Sequence, residues 1–252
     1  MQDIYIGDEG KGFPLVLVHG FLGSSTMWKP QIDFFKDRFR IITPDLPGYG
    51  KSNKAKSHNS IESLSNFLFD CLEEKKIHKF HLLGHSMGGM IVQEMAKKEG
   101  DKISKLICYS TGAIGEMPGR FETVEESREN LKKNGLKTMA RSVTKTWFVK
   151  GEDAKYFDFC IEAGTQTSIE AADNSLAALK KWNGVDKLKN IKNETLIIWG
   201  NKDKSYNLSQ VKILEKNIPN SSLVTFDRCA HNVHLEKIEK FNRTVLNYIN
   251  NE

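Results

Sequence analysis

The chain has 252 residues and carries 37 Lys+Arg against 32 Asp+Glu, a formal net charge of +5. That length suits one large α/β domain with a substantial core, and no stretch approaches the ~20 apolar residues of a membrane span. The lysines are dispersed, and even the densest run, Lys51 to Lys56, is interrupted by Ser52 and Asn53, so the charge reads as a solvated surface and argues against nucleic-acid binding.

The opening residues, Met1-Gln2-Asp3-Ile4-Tyr5, lack the basic-then-apolar pattern of a signal peptide, and a cytoplasmic protein is expected. Leu15-Val16-Leu17-Val18 is a β-rich run of the kind buried on both faces of a parallel sheet. It ends in the Gly/Ser loop His19-Gly20-Phe21-Leu22-Gly23-Ser24-Ser25, followed by an amphipathic segment with Met27, Trp28, Ile32, Phe34 and Phe35. Arg40-Ile41-Ile42-Thr43 is the next strand, stopped by Pro44-Asp45-Leu46-Pro47-Gly48. A helical pattern covers Ile61 to Lys75, and the Phe80 strand then meets Gly84-His85-Ser86-Met87-Gly88-Gly89. Met90, Ile91, Met95 and Ala96 recur beyond it at helical spacing. This strand–turn–helix places Ser86 at the apex of a tight turn, where the flanking glycines give room that a Cβ would deny.

Ile103 to Tyr109 is a further strand, and from about Met117 to Trp182 the pattern is helical. That segment is too long for a simple crossover and reads as a helical cap, residues 116–184, inserted in a core formed by 1–115 and 185–252. The sheet resumes at Glu194 to Trp199, and a helix runs from Leu208 to Ile218. Ser222 to Phe226 is the last strand, and a helix from about Glu236 to Tyr248 closes the chain. The β–loop–α alternation predicts a mostly parallel, doubly wound sheet.

A serine hydroxyl needs a base, and the base needs a third group to hold its tautomer; in open parallel sheets these gather beyond the strands' carboxyl ends. His231 follows the last strand and is the expected base. His234 is its competitor, expected to begin the final helix with its ring on the cavity. His85 should point away from the apex, and His19 should shape its own loop. Asp203, four residues past Trp199, is the expected acid. Asp45 sits in a turn where a carboxylate caps backbone N–H groups, and Asp227 is too close in sequence to His231. The oxyanion of an acyl-transfer intermediate would be met by the N–H groups of Met87 and Phe21. Cys71, Cys108, Cys160 and Cys229 are scattered without a C-x-x-C pair, so reduced thiols are expected, with no metal and no cofactor. Gly50-Lys51-Ser52 lacks the first glycine of a phosphate-binding loop, since position 45 is Asp.

Across nearly its whole length the chain resembles the α/β-hydrolases. The resemblance is carried by His19-Gly20-Phe21, Asp45 to Ser52, Gly84 to Gly89, Trp199 to Asp203, and His231 with Glu236 five residues later. Ala230 and Ile238 stand where that family often has Gly and Pro. The resemblance implies an α/β-hydrolase fold and a serine hydrolase that cleaves a small carboxylic ester or lactone through an acyl-enzyme on Ser86. The segment around Trp147-Phe148 is similar to the cap of small-molecule esterases and enol-lactonases, so Trp147, Phe148 and His234 are expected at the substrate pocket. The same parts serve C–C bond hydrolases and cofactor-free haloperoxidase-type enzymes. They also serve the lyase SHCHC synthase, which usually carries an arginine where this chain has Met90. Some members bind a small molecule as receptors without turnover. The partner expected is a small-molecule substrate, with no membrane or nucleic acid; the sequence leaves the oligomeric state open.

Overall fold

A computed structural model describes residues 4–119 and 122–251; residues 1–3, which opened the signal-peptide reading, and Arg120 and Phe121 of the expected cap lie outside them. The elements in chain order are β1 (Ile6–Glu9), β2 (Pro14–Val18), α1 (Lys29–Phe35), β3 (Arg40–Pro44), α2 (Ile61–Glu74), β4 (Phe80–His85), α3 (Met87–Glu99) and β5 (Ile103–Tyr109). After them come α4 (Val124–Thr146), α5 (Phe157–Thr165), α6 (Ile169–Lys181), β6 (Thr195–Gly200), α7 (Leu208–Asn217), β7 (Ser221–Phe226), α8 (Val233–Glu236) and α9 (Ile238–Asn250).

The strands form one sheet in the order β1-β3-β2-β4-β5-β6-β7. Every neighbouring pair is parallel except the edge pair β1–β3. The apolar runs of the inner strands are explained by burial on both faces. Val16 and Val18 join the core beneath α2 and α3, while Leu15 and Leu17 join the one that holds Trp28, Phe35 and Phe241. Alternate side chains of a strand point to opposite faces, so a strand covered on both sides has no polar position to spare. Helix starts carry local signals: Ser60 Oγ accepts the Ser63 N–H at 3.1 Å, and Thr123 and Glu126 form a reciprocal capping box.

Two features of the connectivity fix where chemistry can sit. The chain winds from β2 to β3 on one side and then crosses to β4 on the other, so a crevice opens between the carboxyl ends of β2 and β4. The helices α4–α6 leave and rejoin the sheet at one point. Ile114 bridges Asn183, Gly115 N–H donates to Trp182 O at 3.0 Å, and Gly184 N–H donates to Ala113 O at 2.8 Å. Trp182 Nε1–H anchors that junction to α3 through Glu94 at 3.0 Å.

The structure adds β1, whose Gly7, Asp8 and Glu9 carry no apolar run to mark a strand. It also breaks the expected last helix at Lys237, whose φ of −137° separates α8 from α9. Among the described residues no helix is long and apolar enough to cross a membrane.

Candidate active site

Ser86 follows β4 directly and is the N-cap residue of α3, with φ 56° and ψ −120°. A non-glycine residue in that region costs about 1–3 kcal/mol and persists only where its surroundings enforce it. Here they do. Ser86 N–H donates to Tyr109 O at 2.9 Å, and Ser86 O accepts from Gly89 N–H at 2.9 Å and Thr111 Oγ1 at 2.8 Å. A Cβ on Gly84 would overlap the Gly88 carbonyl, and one on Gly88 would overlap the carbonyls of Val18 and His19. A Cβ on Gly20 would lie 2.8 Å from that of Ser86, so the loop after β2 passes directly over the serine.

Asp203 and His231 meet from the loops after β6 and β7. Asp203 divides its oxygens: Oδ1 accepts the N–H groups of Ser205 (2.7 Å) and Tyr206 (3.2 Å), and Oδ2 lies 2.9 Å from His231 Nδ1. A carboxylate only accepts, so Nδ1 carries the proton and Nε2 is the basic nitrogen. The imidazole lies between the rings of Tyr206 (5.8 Å, 24°) and Trp147 (6.0 Å, 35°). Its backbone carbonyl accepts from Tyr109 Oη at 2.9 Å and from His85 Nε2 at 3.3 Å. Burial, then the neighbouring His231 and His234, hold the His85 pKa well below its usual value, so three imidazoles pack closely without like-charge repulsion.

Ser86, His231 and Phe21 line one cleft of about 30 Å³ together with Tyr206 and with Val143, Trp147 and Leu179 of the inserted segment. Among the described residues no hydrogen bond joins the Ser86 hydroxyl to His231; such contacts are often long before substrate closes the site. Met87 N–H is the first of α3 and has no partner within the helix, and among the described residues no backbone carbonyl accepts from Phe21 N–H. Both amides adjoin the serine's turn. No group of three His, Cys, Asp or Glu side chains able to hold a metal occurs among the described residues.

Two expected pocket residues lie elsewhere. His234 is fully buried, its ring tilted at 44° to that of Trp28 with centroids 4.9 Å apart and its Nδ1 3.0 Å from Tyr109 Oη, because the single turn of α8 aims it at the sheet and away from the cleft. Phe148 turns to the side opposite Trp147 and lines a separate cavity. The other candidates act on loops: His19 Nε2 accepts Leu46 N–H at 3.0 Å, and Asp45 accepts Ser25 N–H and Lys51 N–H at 2.6 and 2.8 Å.

Tyr206 and Glu236 escaped the sequence reading as site residues. Tyr206 is set three residues past Asp203 by the Asp203 turn, a local signal that was available. Glu236 fastens the site together: Oε2 accepts Ala230 N–H at 2.6 Å and Oε1 accepts Val149 N–H at 2.8 Å, while Asn232 N–H donates to Trp147 O at 3.0 Å. The loop bearing His231 is thus tied to the inserted segment by two bonds, Glu236 to Val149 and Asn232 to Trp147. Burial raises the Glu236 pKa against these two backbone donors.

The sequence pattern of the alpha/beta hydrolase fold matches residues 14–238. The pimeloyl-[acyl-carrier protein] methyl ester esterase of Legionella pneumophila (strain Lens) is 32% identical, covering 95% of this chain and 96% of the relative. The 2-hydroxy-6-oxo-6-phenylhexa-2,4-dienoate hydrolase of Burkholderia cepacia is 26% identical over 98% of this chain and 91% of its own. Among solved structures, the enol-lactonase of Burkholderia xenovorans LB400 superposes with a TM-score of 0.90 at 21% identity, covering 98% and 96% of the two chains, a likeness of fold.

Proposed function

The chain belongs to the α/β-hydrolase family, and from that premise we propose that it is a serine hydrolase of small carboxylic esters and lactones, working through an acyl-enzyme. The observation that carries this reading is the 2.9 Å Asp203–His231 contact in the loop cluster that also holds Ser86 at positive φ. Ser86 Oγ attacks the carbonyl carbon as His231 Nε2 takes its proton. The Phe21 and Met87 N–H groups meet the oxyanion, and the protonated His231, held by Asp203, returns the proton to the leaving alkoxide. Water, deprotonated by the same nitrogen, releases the acid.

Residues 116–184 act as the cap in this reading. Val143, Trp147 and Leu179 supply an apolar wall beside Ser86 and His231, and a small alcohol such as methanol is the leaving group proposed. The methyl ester named for the Legionella relative is of this kind and supports the choice. Turnover of a 4-nitrophenyl ester series and of methyl esters and lactones tests it. Ser86→Ala is expected to lower kcat by about five to six orders of magnitude, and a serine-directed phosphonate should label Ser86 alone. Esterase turnover intact in Ser86→Ala overturns the mechanism; multiple turnover absent throughout the panel, with ligands still bound, makes the protein a receptor.

A further inference from the structure

Phe148 and Val149 open onto a second cavity, of about 310 Å³, lined by residues other than those around Ser86. Its apolar lining is Phe148, Leu235, Ala154 and the Tyr156 ring, and half of Val149 is exposed at its edge. Around these stand Lys150, Lys155, Arg228 and Lys237. One carboxylate, Glu236, faces them, and its oxygens are engaged by Ala230 N–H and Val149 N–H. Arg228 pairs loosely with Asp227 at 3.5 Å. Among the described residues no carboxylate oxygen lies within ion-pair distance of Lys150, Lys155 or Lys237, although the Lys237 charge reaches Glu236 and favours its ionised form.

A larger basic cavity differs in this respect. At the amino ends of the strands, about 410 Å³ is lined by Lys79, Lys97, Lys98 and Lys192, and each of those amines has a partner: Asp101 O, Glu94, Asn66 Oδ1 and Lys189 O respectively. The cavity beside Glu236 instead joins an aromatic and aliphatic surface to Lys150 and Lys155, which among the described residues have no carboxylate oxygen within ion-pair distance, Lys155 Nζ lying 5.3 Å from the centroid of the Tyr156 ring. A concave site with convergent charge of one sign concentrates ions of the other, and flexible lysine stems let the amines close on a small anion.

We propose that this cavity binds a small amphipathic carboxylate, its apolar body against Phe148, Tyr156 and Leu235 and its anionic end among the lysines. The site is separate from the Ser86 cleft and stands whatever reaction that cleft performs. The probe is 4-fluorobenzoate, followed by ¹⁹F NMR on the full-length protein with and without phosphonate treatment; uncharged 4-fluorobenzamide is the control. Binding should persist after phosphonate treatment, should be absent for the amide, and should weaken about tenfold, or ~1.4 kcal/mol, in Lys150→Glu/Lys155→Glu. Both lysines are exposed, so that variant should melt as the parent does. Binding lost on phosphonate treatment, shared equally by the amide, unchanged by charge reversal, or absent at about 10 mM overturns the proposal.

Discussion

Asp203 offers a test that separates fold from chemistry, because its two oxygens do different work. Asp203→Asn is nearly isosteric, and its Oδ1 still accepts the Ser205 and Tyr206 N–H groups, now 2.7 and 3.2 Å away. The new amide nitrogen replaces the oxygen 2.9 Å from His231 Nδ1 and sets donor against donor. The imidazole escapes by moving its proton to Nε2, which then cannot accept one from Ser86. The expected loss is about 10⁴ in kcat, equivalent to ~5 kcal/mol of transition-state stabilisation, with KM nearly unchanged. Stability should move by no more than about 1 kcal/mol, a Tm shift of roughly 2–4 °C for a chain of this size. Asp203→Ala, by contrast, frees the turn and loosens the Tyr206 ring beside His231, so Tm and KM should change together with kcat. Steady-state kinetics on a 4-nitrophenyl ester and thermal melts of both variants decide the matter. If the asparagine variant keeps kcat within about tenfold of the parent while alanine fails, Asp203 is a turn residue and the proposed triad is wrong.

Tyr109→Phe removes the hydroxyl that donates to His231 O and accepts His234 N–H at 3.1 Å. Leaving His234 N–H unpaired and His231 O with only its longer His85 bond should cost about 1–3 kcal/mol and lower kcat more than it raises KM; a variant matching the parent in urea midpoint and kcat would remove Tyr109 from the positioning role. Burial keeps His19 and His85 neutral in the fold and lowers the pKa of His81 to about 4 and of His234 to about 3. The unfolded chain protonates such groups near 6.5, so it binds more protons than the fold below that pH, and stability is lost as pH falls. Glu236, raised by burial from 4.5, contributes with the opposite sign above that value, one group against five, since burial and then Lys56 also lower the pKa of His58. The urea midpoint should therefore decline between about pH 6.5 and 4.5, before most carboxylates titrate, and a flat midpoint over that range would contradict the buried-neutral assignment.

Some of this could be read from residue order. The inner strands were visible because two buried faces demand unbroken apolar runs such as Leu15 to Val18, whereas β1 becomes a strand only by pairing with β3. Ser86, Asp203 and His231 were legible because each lies just past a strand's carboxyl end, a position that a parallel sheet marks along the chain itself. The pocket wall was not legible in that way. Trp147 and Phe148 are neighbours yet turn to different cavities, and His234 faces the sheet because of the phase of one helical turn. No pattern local to Glu236 reveals a partner 87 residues away at Val149.

That carboxylate also limits how the protein can move. With Ala230 on one oxygen and Val149 on the other, Glu236 joins the loop that bears His231 to the segment between α4 and α5. Swinging the helices outward to admit a bulky molecule breaks the Val149 bond and the Asn232–Trp147 bond, and it takes Trp147 off the imidazole. In the proposed mechanism, outward movement of the helices is thereby coupled to loosening of the base, His231. Exchanging the helical insert for a relative's would fail on the same account unless the backbone of residues 147–149 travels with it.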